Sequence, residues 1–338
     1  MADQTSLPIA ISMGDPAGIG PEITLKAWTA RRRGNLPVFF AVGNAGLYEE
    51  TARSLKLDAG VREITSPEHA EEAFSEALPV LPIDLIEPAV AGAPSRSNAG
   101  AVLRSIDIAC DLALGGSAAG LVTNPIHKRT LYEAGLRVPG HTEYLAVRCG
   151  GVTPLMMLSC PGLRVVPVTV HLSLMEATQA LSIKAIVEQG EILAGALQRD
   201  FGIERPRIAV AALNPHAGEE GHLGREEIEI IAPAVDALKK WCPNAEFRGP
   251  APADTLFHVA ARARYDAALC MYHDQALILL KTIDFENGVN TTLGLPIIRT
   301  SPDHGTAFDI AGKGVAHPGS LIAAIRAASE ISHHRANT

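Results

Sequence analysis

The sequence lacks the features that mark membrane and secreted proteins. No apolar run among its 338 residues is long enough to cross a bilayer, and no basic segment followed by an apolar core marks a signal peptide. The five cysteines are odd in number and form no Cys-x-x-Cys pair, which argues against a disulfide framework and against a thiolate zinc site. We therefore expect a protein of the reducing cytoplasm, with no membrane partner.

Positive charge is also sparse. The chain has 29 Lys and Arg residues against 37 Asp and Glu, and Arg31-Arg32-Arg33 is its single basic run. Because no basic stripe or aromatic platform accompanies that run, no nucleic-acid partner is expected. The run suits the C-terminal end of a helix, where positive charge is favoured.

Length and patterning predict an α/β protein with two lobes. A chain of 338 residues exceeds the size at which a single core usually keeps growing. Short apolar runs alternate with amphipathic stretches, as in a parallel sheet covered by helices. We predict strands at Ile9–Ser12, Val38–Val42 and Gly120–Val122, and helices opening at Pro21 and spanning Gly100–Leu114, Ile183–Leu197 and Glu226–Lys240. Residues from Ser332 onward are expected to fray.

Three further apolar runs, Val165–Val170, Ile208–Leu213 and Ala267–Tyr272, precede His171, His216 and His273. Ligands of open parallel sheets collect beyond the carboxyl ends of the strands, so three imidazoles there suggest a catalytic metal with an open coordination position. Asp254 and Asp274 are candidates for a fourth ligand or for an acceptor that orients a histidine. The alternative for each histidine alone is a hydrogen-bonded loop residue.

Three other segments carry polar groups. Gly14–Glu22, which we call the first loop, has the glycines of a phosphate-cradling turn, but Asp15 would repel phosphate and a structural turn is favoured. The segment His141-Thr142-Glu143 combines an imidazole, a hydroxyl and a carboxylate, as a binding site would; the alternative is that Thr142 is the N-cap of a helix. The stretch 281–314 spaces cations among glycines, and its Arg299 can grip a phosphate or a carboxylate bidentately.

Together these motifs resemble the 4-hydroxythreonine-4-phosphate dehydrogenases of vitamin B6 biosynthesis. The resemblance runs from about residue 8 to the last helix. It is carried by Met13–Glu22, Pro139–Glu143, Leu213–Glu219, Met271–Gln275, Gly288–Pro296, Arg299–Ser301 and Asp303–Ala307.

The resemblance implies the fold of the isocitrate and isopropylmalate dehydrogenases, with two α/β/α lobes and the active cleft between them. The lobes would comprise 1–135 plus 285–338, on the nicotinamide side, and 136–284, with the metal site and the dimer interface. His171, His216 and His273 match the family's divalent-metal ligands, which two subunits of a homodimer contribute. The family's substrate-binding residues are matched by His141, Thr142, Lys281, Asn290 and Arg299.

The function implied is the oxidation of 4-phosphooxy-L-threonine at C3 with NAD or NADP and one divalent metal (Zn, Mg or Co). Lys281 and His141 are the candidate catalytic residues, and Lys281 or a metal-bound water is the candidate base. Cofactor contacts cannot be assigned without a dinucleotide fingerprint. The alternatives are a dehydrogenase of phosphorylated threonate or erythronate or of a dihydrodiol carboxylate, a metal-dependent lyase or hydrolase of a phosphorylated sugar acid, and a non-catalytic metal-stabilised protein.

Overall fold

The computed structural model describes residues 7–135 and 140–337 and divides the chain into two compact units. The first unit comprises Met1–Val152 with Leu295–His333, and the second comprises Thr153–Gly294 with His334–Thr338. The predicted lobe limits were 135/136 and 284/285, whereas the units divide at 152/153 and 294/295. The nicotinamide, metal and dimer roles of the lobes stay predictions. Pro139 of the Pro139–Glu143 motif lies outside the described residues.

Strands and helices alternate along residues 7–152. They are β1 (Ile9–Ser12), α1 (Gly20–Gly34), β2 (Phe39–Gly43), α2 (Ala45–Ser54), β3 (Val61–Glu63), α3 (Ala70–Phe74), β4 (Leu78–Pro82), α4 (Ala99–Leu114), β5 (Leu121–Thr123), α5 (Lys128–Glu133) and α6 (His141–Arg148). The strands and helices predicted in this part are confirmed to within one residue at each predicted end. The basic run Arg31-Arg32-Arg33 lies in the last turn of α1, as expected.

Residues 153–294 form the second unit's strands and helices. They are β6 (Leu155–Cys160), β7 (Leu163–Thr169), α7 (Leu174–Ala180), α8 (Ile183–Arg199), β8 (Arg207–Ala211), α9 (Ala232–Trp241), β9 (Glu246–Ala251), α10 (Ala253–Leu256), α11 (Val259–Arg262), β10 (Ala267–Tyr272), α12 (His273–Ile283) and β11 (Val289–Leu293). A 3₁₀ segment, Pro215–Gly221, follows β8. The helix predicted at Glu226–Lys240 begins instead with a π-helical turn, Glu227–Ile231.

The chain ends with β12 (Arg299–Pro302) and α13 (Gly319–Ala336). The expected fraying from Ser332 onward is wrong, because α13 continues to Ala336. Within the second unit, the Arg335 Nε donates to Asp200 Oδ1 at 2.8 Å, and this ion pair holds the end of the chain. Among the described residues, no helix has the length and apolar character needed to cross a membrane.

The sheet of the first unit is parallel throughout, in the order β3-β4-β2-β1-β5-β12. Its central strands β1 and β2 are buried along their whole length, as expected for a sheet with helices on both faces. The carboxyl ends of β1 and β5 therefore meet at one edge. That edge carries the first loop and the residues that follow Thr123.

The second unit's sheet has the order β11-β6-β7-β10-β8-β9. Its β7, β10, β8 and β9 are mutually parallel, and β6 runs antiparallel to both β11 and β7. Apolar side chains of α8 and α9, including Leu193 and Leu238, belong to one core cluster. Leu256 of α10 and Leu280 of α12 belong to another. The α/β fold class is confirmed, and the three histidine-bearing strands are parallel neighbours with β10 in the middle.

Candidate active site

The carboxyl ends of β7, β10 and β8 present the three histidines at one edge of the second unit's sheet. His171 follows β7 by two residues, His273 is the first residue of α12, and His216 lies in the 3₁₀ segment after β8. The ring centroids of His171 and His273 are 6.2 Å apart. Those two imidazoles are therefore close enough to face one ion.

Hydrogen bonds fix the ends of these strands relative to each other. The Thr169 hydroxyl, at the end of β7, donates to the Met271 carbonyl of β10 at 2.9 Å. The buried Gln275 side chain accepts from the Met271 N–H and donates to the Ala212 carbonyl after β8, both at 2.7 Å. The segments before the histidines are thus tied by buried polar contacts, which are costly to break.

Asp274 is placed to orient His273. Its Oδ1 lies 2.7 Å from His273 Nδ1, the contact that typically fixes the tautomer of a ligating histidine. Asp254, the other carboxylate considered, is exposed on α10. Within residues 7–135 and 140–337 of one chain, no group of three or more His, Cys, Asp or Glu side chains is arranged to hold a metal. A single chain thus brings together two of the three predicted ligands.

The backbone at two of the histidines is left-handed. His171 has φ 54° and His216 has φ 52°. An L-residue in this conformation costs roughly 1 kcal/mol or more, so the surrounding contacts must hold it there. Such outliers are concentrated at functional sites, and sequence patterns at histidine give little sign of them.

In the first unit, Arg299 forms the centre of a second polar cluster. It is 3% exposed, and its guanidinium donates to the Thr123 hydroxyl from Nη2 at 2.6 Å and from Nε at 3.2 Å. Burial lowers the pKa of Arg299 to about 10, and the Glu143 carboxylate opposes that shift. A cation this well fixed and this poorly hydrated suits an anionic substrate group.

His141 begins α6 in the same cluster. Its Nε2 atom is buried and has no hydrogen-bond partner among the described residues. Burial, together with the positive charges of Arg299 and Lys128, holds the pKa of His141 well below its usual value. The imidazole is therefore neutral at pH 7, with one ring nitrogen available to a ligand.

The prediction that Thr142 caps this helix is wrong. Gly140 is the N-cap residue, and no side chain caps the helix there. A cap at residue 140 makes Thr142 the second helical residue, where its hydroxyl cannot serve the first turn in that way. The uncapped N–H groups of α6 remain near His141 and add to the positive potential of the cluster.

Sequence reasoning missed Thr123 and Lys128. A β-carbon on Gly140 would lie 3.6 Å from the Lys128 Nζ, which places the ammonium beside the start of α6. The signal that could have found both residues is the carboxyl end of the buried strand β5, where Thr123 is the last residue and Lys128 follows at the start of α5; the same rule selected the histidines.

Lys281 and Asn290 lie in the second unit. Lys281 is in the last turn of α12, with its Nζ 5.2 Å from the Phe285 ring centroid. Asn290 lies in β11, and its Oδ1 is buried without a hydrogen-bond partner among the described residues. The predicted substrate residues therefore fall into two sets, one on each unit.

The first loop is a tightly packed turn. Gly14 has φ 74°, and a β-carbon there would meet Asn124 Cβ and the Pro125 carbonyl oxygen at 2.7 Å. Asp15 is buried and accepts from the Ala17 N–H at 3.0 Å, and burial raises the pKa of its carboxyl. The Asp15 carboxylate thus stabilises the turn from within.

Beside the first loop, the first unit has a cleft of about 440 Å³. Pro16 and Gly18 of the loop, Thr51 of α2, Ala89 and Gly312 are among the residues that line it. Glu22 also lines the cleft, and its buried Oε2 has no hydrogen-bond partner among the described residues. A cleft of this size with an unused acceptor can take a nucleotide-sized ligand.

Comparison with known proteins identifies the family. The family model described as pyridoxal phosphate biosynthetic protein PdxA matches residues 35–328. The chain belongs to the PdxA family. The resemblance inferred from the sequence motifs is confirmed.

Relatives and solved structures match the chain over nearly its whole length. A 4-hydroxythreonine-4-phosphate dehydrogenase from Caulobacter vibrioides is 55% identical, over 98% of this chain and 99% of its own. The crystal structure of a Klebsiella pneumoniae 4-hydroxythreonine-4-phosphate dehydrogenase is 39% identical, with a TM-score of 0.87 over 97% of this chain and all of that one. A terephthalate 1,2-cis-dihydrodiol dehydrogenase from Burkholderia xenovorans is 26% identical, with a TM-score of 0.65 over 96% of this chain and 98% of that one. Membership of this dehydrogenase family is consistent with the use of a nicotinamide cofactor and a divalent metal.

Proposed function

We infer that this PdxA-family chain oxidises 4-phosphooxy-L-threonine at its C3 hydroxyl in pyridoxine 5′-phosphate biosynthesis. The observation that carries this conclusion is the 55% identity, over nearly the whole of both chains, to a relative named for that activity. Identities of 51% to two further relatives with the same name support it.

The donor set at the edge of the second unit's sheet fits a divalent metal. His171 and His273 offer imidazole nitrogens of the kind that Zn²⁺, Co²⁺ and related dications accept, and Mg²⁺ is the third candidate metal. Since one chain's described residues group no third ligand with them, we propose that His216 joins the set in a homodimer with a shared site. When bound, the metal supplies Lewis acidity at the hydroxyl that is oxidised.

Each unit carries residues that suit anionic groups of the substrate. Arg299 is a fixed, buried cation, and the neutral His141 offers its Nε2 beside it. Thr142 lies in the uncapped first turn of α6, which favours negative charge. From the second unit, we propose that Lys281 binds a further anionic group and Asn290 accepts a hydrogen bond through its buried Oδ1.

The reaction balances with a nicotinamide as oxidant. The C3 hydroxyl loses its proton to a base and a hydride passes from C3 to NAD or NADP, which yields 2-amino-3-oxo-4-phosphooxybutanoate. In that product the carboxylate is β to a ketone, so CO₂ leaves readily, and C2 then takes up a proton to give 3-amino-2-oxopropyl phosphate. Lys281 is our candidate for the residue that takes the hydroxyl proton, and His141 for one that holds the substrate in place.

The cleft beside the first loop fits the nicotinamide cofactor. Gly18 and Gly312 are among the residues that line it, and the carboxylate of Glu22, which also lines it, has one oxygen without a hydrogen-bond partner among the described residues. We therefore propose that NAD or NADP binds in this cleft of the first unit.

The test is a spectrophotometric assay of NADH or NADPH formation with 4-phosphooxy-L-threonine. Activity is expected to disappear after chelator treatment and to return with a divalent metal. Phosphorylated threonate, phosphorylated erythronate and a dihydrodiol carboxylate are assayed in parallel. Faster turnover of one of these would overturn the substrate assignment, and turnover without any nicotinamide would indicate a lyase or hydrolase instead.

A further inference from the structure

We propose that Glu227 is a positioning residue for His216, because its buried carboxylate holds the left-handed turn that presents this imidazole. The proposal rests on the proposed function, in which His216 is a metal ligand. Glu227 itself touches neither substrate nor metal in this account.

The turn that carries His216 has an unusual backbone. Five consecutive residues from 216 to 220 are left-handed, with φ values of 52°, 54°, 76°, 41° and 56°. Only Gly218 among them adopts such a conformation without a steric penalty. A left-handed run that contains His216, Ala217, Glu219 and Glu220 needs outside contacts to persist.

Glu227 supplies contacts at the start of the turn. Its Oε1 accepts from the Leu213 N–H at 2.8 Å and from the Asn214 N–H at 2.7 Å. Its Oε2 accepts from the Asn214 side-chain amide at 2.9 Å. Three donors on one carboxylate, which is 3% exposed, fix the two residues that precede Pro215 and His216.

Two glycines bring the turn against this carboxylate. A β-carbon on Gly218 would lie 2.6 Å from Glu227 Oε2. A β-carbon on Gly224 would lie 2.4 Å from the Asn214 Nδ2. The left-handed turn, Asn214 and Glu227 are therefore packed with no room for an added methyl group.

The π-helical turn explains how Glu227 reaches the loop. The segment Glu227–Ile231 is π-helical, and both Glu226 and Glu227 contact the Asn214 amide, at 2.7 and 2.9 Å. Single π-helical turns are rare and are frequently found at functional sites. Glu227 binds Leu213 and Asn214, which lie between the end of β8 and His216, so the network sets the backbone that leads to His216.

The experiment compares Co²⁺ binding to the apo-protein for the wild type, Glu227→Gln and Glu229→Gln. Isothermal titration calorimetry gives the affinity for Co²⁺, and the visible absorption spectrum of bound Co²⁺ reports the geometry of its ligands. Glu229 is the matched control, because it is exposed on the same π-helical turn and pairs with Arg225 instead of the loop. Gly218→Ala is a second variant that displaces the same carboxylate by steric contact, and the melting temperature of each apo-protein is recorded.

We expect Glu227→Gln and Gly218→Ala to weaken Co²⁺ binding by about 10- to 100-fold and to alter its spectrum, as for other residues that orient metal ligands. Glu229→Gln should match the wild type. Lower melting temperatures with unchanged affinity and spectrum would overturn the proposal and leave Glu227 a merely structural residue. A wild type that binds no Co²⁺ would instead overturn the metal site of the proposed function, and this proposal with it.

Discussion

The Asp274–His273 contact allows a quantitative prediction for Asp274→Asn. The carboxylate lies 2.7 Å from His273 Nδ1, and the side chains are 67% and 36% exposed, respectively. Replacing an acceptor that orients a ligating histidine usually costs 10- to 100-fold in metal affinity. Because solvent screens this pair, we expect a loss of metal affinity at the lower end of that range, about tenfold, which corresponds to about 1.4 kcal/mol of binding free energy.

The assay is isothermal titration of the chelator-treated protein with Zn²⁺ and Co²⁺, with Asp254→Asn as control. Asp254 is an exposed carboxylate on α10, so its loss should leave the affinity unchanged. If Asp274→Asn binds metal as tightly as the wild type, the orienting role is refuted. A loss far beyond a hundredfold would also refute it, because it would make Asp274 a direct ligand.

Three further predictions concern the first unit. Arg299→Lys removes the planar guanidinium that the Thr123 hydroxyl holds in place. The loss of one charge-assisted hydrogen bond to the substrate, about 1.5–3 kcal/mol, should raise the KM for the substrate about 10- to 150-fold in steady-state assays, and an unchanged KM would contradict the assignment. Burial holds the pKa of His141 below 6.5, so the unfolded chain binds the proton first when the pH is lowered. In urea unfolding, the stability of the wild type relative to His141→Gln should therefore fall by up to about 1.4 kcal/mol per pH unit below pH 6.5. Parallel plots of stability against pH for the two proteins would refute this. Ala89→Trp should fill the cleft beside the first loop and raise the KM for the nicotinamide cofactor by at least about tenfold. The control is Val90→Trp, at the adjacent residue that does not line the cleft, and it should leave that KM unchanged. Equal effects of the two substitutions would count against cofactor binding in the cleft.

Local sequence patterns were sufficient for much of the fold. The runs before His171, His216 and His273 are apolar over four or more residues, and a buried parallel strand requires little else. The order of the strands was not predictable, since β10 lies between β7 and β8 through pairings such as Ala268 with Val165 and Ala267 with Ile208, which are far apart in the sequence. That order is nevertheless what gathers the histidines.

Other features depend on partners far away in the sequence. The end of α13 is held by Arg335 and Asp200, which are 135 residues apart, so the composition of the last residues wrongly suggested fraying. The left-handed turn at His216 is similar, because Ala217 and Glu219 have no intrinsic preference for positive φ. Glu227 imposes that conformation from another helix.

The proposed activity depends most on the binding of one dication by the imidazoles of His171, His216 and His273. The most direct measurement is an anomalous-scattering map, at the zinc or cobalt edge, from crystals of the metal-loaded protein. We predict one peak about 2.0–2.1 Å from a nitrogen of each imidazole, with two chains contributing to the site. Metal bound elsewhere, or at a site without one of these histidines, would contradict it.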